Sequence, residues 1–280
     1  MRERIRYMIK KFVYIFGLLS LTTSIIGQVT ISPTALFIDS QRRFETLLIL
    51  NSSNVAQEIS LSFDFGYPES DEEGNLGIIY DDTEQEALHS AADWIRGFPK
   101  NFILEPGARQ VVRITAKAPG NLADGTYWSR LRTTSSAVST PVGEAPQGEI
   151  AAQINFKFSQ VTSIFYKHGE LNTSIVLTGI RHKIEEDQLG IFAEFTKTGN
   201  SPYLGTMVAQ VFDADGKIVK EGKVFVSIYY DGLRRLNVEV DDLPSGEYEA
   251  AVTFHSGRAD IPDTDITVAP TVSIRGRFTK

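Results

Sequence analysis

The stretch "IAAQINFKFSQVTSIFY", Ile150 to Tyr166, decides the reading of this chain. Its first nine residues alternate with the period of a β-strand. Ile150, Ala152, Ile154, Phe156 and Phe158 fall on one face, and Ala151, Gln153, Asn155 and Lys157 on the other. An ordinary sandwich strand has the same alternation. This apolar face, however, is large, and it follows a long polar run, "SSAVSTPVGEAPQGE", Ser135 to Glu149. Two isoleucines and two phenylalanines need a surface to bury against, either in their own domain or on another protein.

The rest of the chain agrees with β-structure. "VTISPTALFI", "FETLLILN", "QEISLSFDF", "QVVRITAKA" and "GTYWSRLRTT" precede the stretch, and "LGIFAEFTKT", "LGTMVAQVFD", "RRLNVEVDDL", "GEYEAAVTFH" and "VSIRGRF" follow it. All are short, rich in Val, Ile, Thr and aromatics, and bounded by Asn, Gly, Pro and Ser. "DADGK" (Asp213–Lys217) and "LPSGEY" (Leu243–Tyr248) read as hairpin turns. Only Thr83–Ala92 suits a short helix. Strands at this spacing without interleaved helices predict an all-β chain of two tandem immunoglobulin-like sandwiches. The pattern restarts near "YKHGELNTS" (Tyr166–Ser174), which places the domains at 28–168 and 169–280. The acidic segment "PESDEEGN" (Pro68–Asn75) reads as a solvated insertion rather than a cation site.

The first 27 residues stand apart. "MRERIRYMIKK" is basic and "FVYIFGLLSLTTSII" is apolar, too short for a membrane span of roughly 20 residues. This predicts a signal peptide cleaved near Gly27 and export of the mature protein; its placement in the periplasm is what the family resemblance given below implies. Removing five Lys/Arg and one Glu changes the formal charge from −7 to −11 (−7 − 5 + 1). So acidic a protein is poorly suited to nucleic acid, whose binding rests on neutralised phosphates. The chain has no cysteine, so no disulfide or lipidated thiol is available. Four scattered histidines lack metal-ligand spacing, and no nucleophile elbow or phosphate loop occurs. "DADGK" begins like a calcium loop, but the position of its bidentate glutamate holds Val224. The residues therefore point to no enzyme, metal, cofactor or small-molecule substrate, and they leave oligomeric state open.

"FPKNFILEPGARQVVRITAKAP" (Phe98–Pro119), then "GTYWSRLRTT" and "VTSIFYKHG", resemble the first domain of the PapD-like periplasmic chaperones of the chaperone–usher pilus pathway. The likeness rests on Leu104-Glu-Pro-Gly107, Gln110, Val112-Arg113-Ile114 and Phe165-Tyr166-Lys167, in that order, with "ISPTALFI" and "ILNSSN" matching the first strands. It covers Val29 to about His168; the second domain resembles the family only as a sandwich. The resemblance implies donor-strand complementation: the last strand of the first domain lends alternating apolar residues to an incomplete fibre subunit. Those residues would be Ile154, Phe156 and Phe158, extended outward by Ala152 and Ile150. It implies protein partners, namely pilin-like subunits and an outer-membrane usher, and an interdomain ion cluster containing Arg113 and Lys167. It also implies a cationic anchor for the client's carboxylate, but the matching positions hold Thr34 and Ser163. Arg42, Arg43, Arg130 and Arg132 are the basic residues available to replace it. The alternative is a structural or adhesion module of a cell-envelope complex with the same fold and no client shuttling.

Overall fold

The computed structural model describes residues 29–138 and 156–280. The predicted signal peptide, Ile150, Ala152, Ile154 and most of the polar run before them lie outside the described residues. The first part of the chain forms β1 (Val29–Ser32), β2 (Ala35–Ile38), β3 (Phe44–Asn51), β4 (Gln57–Asp64), β5 (Tyr67–Ser70), β6 (Leu76–Ile79), helix α1 (Thr83–His89), β7 (Ile95–Phe98), β8 (Asn101–Leu104), β9 (Arg109–Ala116), β10 (Gly125–Ala137) and β11 (Lys157–His168). Two sheets, ordered β1-β3-β9-β7 and β2-β11-β10-β4-β8, face each other. Alternation along each strand supplies the core between them: Leu47 and Ile49 from β3, Ile59 and Leu61 from β4, Val112 and Ile114 from β9, Leu131 from β10 and Ile164 from β11. Each such buried aliphatic side chain contributes about 1.5–3 kcal/mol, which is how a chain without cysteine holds together.

The N-terminal strand changes sheets. β1 pairs with β3, the chain passes through Ser32-Pro33-Thr34, and β2 pairs with β11 in parallel. Proline has no N–H for a ladder, which suits it to the point of exchange.

From Thr173 the chain forms a second pair of sheets, from β12 (Thr173–Glu185), β13 (Gln188–Gly199), β14 (Tyr203–Phe212), β15 (Ile218–Ile228), β16 (Gly232–Glu239), β17 (Glu247–Ser256) and β18 (Val272–Thr279). Their orders are β12-β13-β16 and β15-β14-β17-β18. Ile191, Phe195, Met207, Val211, Val226, Val252 and Phe254 lie in its core. Among the described residues no sheet contains strands from both sides of residues 169–172. Gly169 in that linker has φ +64°, a conformation that favours glycine, and a Cβ there would displace the Asp124 carboxylate.

Of the two expected hairpin turns one holds and one changes. "DADGK" is the β14–β15 hairpin, with Asp213 Oδ1 accepting from the amides of Asp215 and Lys217. "LPSGEY" is not a hairpin turn, because β16 and β17 belong to different sheets. Tyr248 there donates its hydroxyl hydrogen bond to the Pro244 carbonyl at 2.8 Å. Tyr127 of the first domain does the same to Ala123 at 3.1 Å. Both sit in a Leu-x-x-Gly-x-Tyr run, Leu122–Tyr127 and Leu243–Tyr248, whose leucines pack on the two cores. Each run is a tyrosine corner, the device that fixes a cross-sheet connection in immunoglobulin-like sandwiches.

The segment 68–75 belongs to the β5–β6 hairpin; its acidic side chains are exposed, as expected, but its backbone also docks on the second domain. Arg181 donates to the Glu72 carbonyl, Arg235 to the Glu73 carbonyl, and Arg234 to Ser70 Oγ at 2.9 Å. Three arginines from β12 and β16 thus satisfy the polar groups of its tip.

Candidate functional site: the open edge of β11 and the interdomain cleft

β10 pairs with β11 along its whole described length, Lys157 opposite Ser136 through His168 opposite Gly125. On the other side β2 covers only Ser163 to Tyr166. Because β1 has crossed to the opposite sheet, the edge of β11 from Lys157 to Thr162 has no strand beside it among the described residues. The Ser163 amide donates to the Thr34 carbonyl, which fixes the alternation. Lys157, Ser159 and Val161 therefore aim their N–H and C=O groups at the open edge, while Phe158, Gln160 and Thr162 bond to β10.

Phe158 points to the same side of the sheet as core residues Ile164 and Tyr166, but at the end of the sandwich where the core gives out. It is 38% exposed, and Phe156 just ahead of the strand is 65% exposed. Their rings stack on each other with centroids 6.2 Å apart. Val161, on the opposite side, is exposed as well. Among the described residues this is an unpaired strand edge flanked by exposed apolar side chains, an arrangement that other folded proteins take pains to blunt.

At the inner end of this edge the two domains meet. Phe37, Phe65, Tyr67, Trp128 and Phe165 of the first domain bury against Leu204, Tyr229, Ile261 and Ile266 of the second. Tyr229 is central: its ring lies 4.8 Å from Trp128, edge to face, and 6.2 Å from Tyr67. Burial raises its hydroxyl pKa.

The positions where the resemblance expects cations are each tied to an arginine from elsewhere. Ser163 accepts from Arg130 Nη1 on β10. Arg130 is 7% exposed; its guanidinium donates from Nε to the Gly66 carbonyl at 3.0 Å and reaches the Tyr229 hydroxyl at 3.4 Å. It forms no carboxylate ion pair among the described residues. Thr34 reaches Asp260 of the second domain at 3.5 Å, and Arg258 holds that carboxylate at 2.6 Å. The cleft therefore keeps two guanidinium groups, supplied by β10 and by the loop after β17. Arg130 was one of four named possibilities; Arg258 carried no signal in the sequence.

Of the two residues expected in an interdomain ion cluster, Lys167 lies at the domain interface and Arg113 does not. Lys167 does cross the interface, donating to the Asp265 carbonyl, and Arg42 pairs with the Asp265 carboxylate. Burial lowers the Lys167 pKa, with Asp265 opposing that shift. Arg113 is elsewhere. β9 lies in the sheet away from the second domain, and Arg113 alternates with buried Val112 and Ile114, so it projects to solvent. Its guanidinium lies 4.0 Å over the Phe44 ring. The arginine that pairs with an acidic residue of the second domain is Arg42, not Arg113.

Among the described residues no cluster of three or more His, Cys, Asp or Glu side chains has the geometry to hold a metal ion. No protein-family model matches the chain, and no curated protein is similar to it at the level of sequence. Solved structures do resemble it in shape. The YadV chaperone aligns with TM-score 0.44 and 11% identity, covering 90% of this chain and all of that one. The Pseudomonas aeruginosa CupB2 chaperone gives 0.39 and 14%, covering 88% and 98%. A complex of the Salmonella enterica SafA pilin with the SafB chaperone gives 0.42 and 10%, covering 90% and 98%.

Proposed function

We propose that this protein is a periplasmic, chaperone-like partner of surface-fibre subunits, which it holds by donating the open edge of β11. The single observation that carries this reading is that edge: unpaired from Lys157 to Thr162 and flanked by exposed Phe156 and Phe158. Backbone hydrogen bonds to a partner strand give affinity without regard to sequence, and alternate side chains entering pockets give selectivity. In the sequence, Ile150, Ala152 and Ile154, which lie outside the described residues, share this alternation. Arg130, which has no carboxylate partner among the described residues, stands at the inner end, where an acceptor-only carboxylate at the end of a docked chain finds a cationic donor; Arg258 is already paired with Asp260. The two domains are joined by a buried aromatic cluster and by the Arg42–Asp265 pair, so the edge and the cleft act as one surface.

The test uses two prolines. Val161 aims its N–H at the open edge, so Val161→Pro removes a donor that only a partner uses; its folding cost is expected to stay below about 1.5 kcal/mol. Gln160→Pro breaks a bond to β10 and is expected to cost about 3 kcal/mol or more. Val161→Pro should fold and fail to retain the stoichiometric β-rich partner that co-purifies with the wild type from the periplasm. A Val161→Pro protein that retains the partner fully rules out edge pairing, and a large membrane complex in place of such a partner identifies a structural module.

A further inference from the structure

The sheet β1-β3-β9-β7 does not contain β11, and its outer face belongs to neither the open edge nor the cleft. Alternation assigns the side chains of that face. Leu47 and Ile49 of β3 and Val112 and Ile114 of β9 are in the core, so their neighbours along each strand point outward. Strand register then sets the outward side chains in rows. Leu50 stands beside Arg109 and Leu48 beside Val111; Arg113 lies between Thr46 and Phe98, and Thr115 between Phe44 and Arg96.

The water-facing side of an antiparallel sheet is ordinarily polar. Here Phe98 is 79% exposed and Val111 53%, and Phe44 and Leu48 are exposed beside them. The only charged side chains at the outward positions are arginines: Arg96, Arg109 and Arg113, all exposed. Glu45, the one acidic residue within these four strands, points to the opposite side and pairs with Arg42. None of the three arginines has a carboxylate partner among the described residues. They stand, moreover, on a chain whose formal charge is −7. Arginine and aromatic residues without Lys, Asp or Glu are the composition of an interface, not of a solvated face. A contiguous exposed apolar patch points the same way.

Charge complementarity sets the occupant. We propose that this face docks an acidic segment of another protein, whose apolar side chains cover Phe98, Val111 and Leu48 while its carboxylates meet Arg109 and Arg113. A guanidinium donates to both oxygens of a carboxylate, which fixes orientation as well as charge. The opposite signs speed encounter and select the partner, and the apolar rows between the arginines supply the buried area. A lipid surface suits the face less well, because anionic headgroups repel the acidic body that carries it. The acidic β5–β6 tip of a second copy suits it less well too, since Arg181 and Arg235 already stand against that tip. The docking face stands whether or not β11 donates its edge.

The experiment maps amide shifts of the intact protein on adding a short peptide in which Glu alternates with Phe and Leu. The control peptide has Lys at every Glu position. With the acidic peptide, the amides of Leu48, Phe98, Val111 and Arg113 are expected to shift and saturate, and added salt should weaken the effect. The Lys peptide should bind about tenfold more weakly or worse, and so should the acidic peptide to the double variant Arg109→Glu/Arg113→Glu. Val111→Thr, which alters no charge, should also weaken binding. Both variants should melt like the wild type, because the substituted side chains are exposed. Shifts confined to β11 or spread over the molecule, or equal binding by the double variant, exclude the docking face. Phosphatidylglycerol vesicles that bind the wild type and not the double variant would overturn the proposal in favour of lipid. Self-association in sedimentation that the double variant loses would overturn it in favour of a second copy.

Discussion

Tyr229→Ala is expected to destabilise the protein by about 3–5 kcal/mol, the range for deleting a large buried aromatic side chain. Tyr229 is buried where the first domain presents Tyr67, Trp128 and Phe165, with ring centroids 6.2, 4.8 and 6.4 Å away. Removing it empties the centre of the interface and deprives the Arg130 guanidinium of both an acceptor and a ring face 5.5 Å away. Arg130 is then a buried cation with fewer partners, an additional cost. Tyr229→Phe separates the two contributions: it keeps the packing and deletes one hydrogen bond, for about 1 kcal/mol. Denaturant midpoints of both variants test this ordering, and small-angle scattering reports whether the domains separate in the alanine variant. An unchanged midpoint for Tyr229→Ala would mean that the aromatic cluster does not couple the domains.

Phe156→Ser and Phe158→Ser should do the opposite, with little effect on folding and a large one on binding. Phe156 is exposed and stacks only on Phe158, so its removal should cost under about 1 kcal/mol; Phe158, half covered, should cost under about 1.5 kcal/mol. A core phenylalanine cut back to this extent would cost about 3–5 kcal/mol. Each side chain that enters a partner's pocket, by contrast, gives up about 1.5–3 kcal/mol of burial when it is lost. The double variant should therefore fold and lose partner capture by at least a hundredfold, since 1.4 kcal/mol is a factor of ten in affinity. Thermal unfolding together with a partner-retention assay checks both halves. A double variant that is badly destabilised, or stable and still binding, contradicts the proposed role of this face.

The strand pattern was legible because alternation and turn chemistry act locally. Thr83–His89 forms the helix that its composition suggested, with Asp82 capping it. What local pattern does not carry is which sheet a strand joins. Arg113 looked like an interface residue because of its motif, but β9 lies in the far sheet; Arg42, with no motif, is the residue that reaches Asp265. "LPSGEY" looked like a hairpin because Gly and Pro mark any tight turn, whereas the Tyr248 hydroxyl bond identifies a corner between sheets. The repeated Leu-x-x-Gly-x-Tyr spacing at 122–127 and 243–248 was the available signal for that. The acidic tip at 68–75 is anchored through its carbonyls by arginines more than a hundred residues away. Arg130 and Tyr229 are 99 residues apart and meet only once both domains are folded. Contacts of that range leave no periodicity to read.

The central claim is that a partner strand adds to the outer edge of β11, and amide hydrogen exchange at Ser159 and Val161 tests it most directly. Both amides point away from β10, with no strand beside them among the described residues, while Gln160 and Thr162 between them bond inward. In the free protein Ser159 and Val161 should exchange fast, and Gln160 and Thr162 should be protected. In the complex with its co-purified partner, Ser159 and Val161 should slow by at least a hundredfold, with little change at their neighbours. If both amides are already protected in the free protein, or stay fast with the partner bound, β11 does not donate its edge.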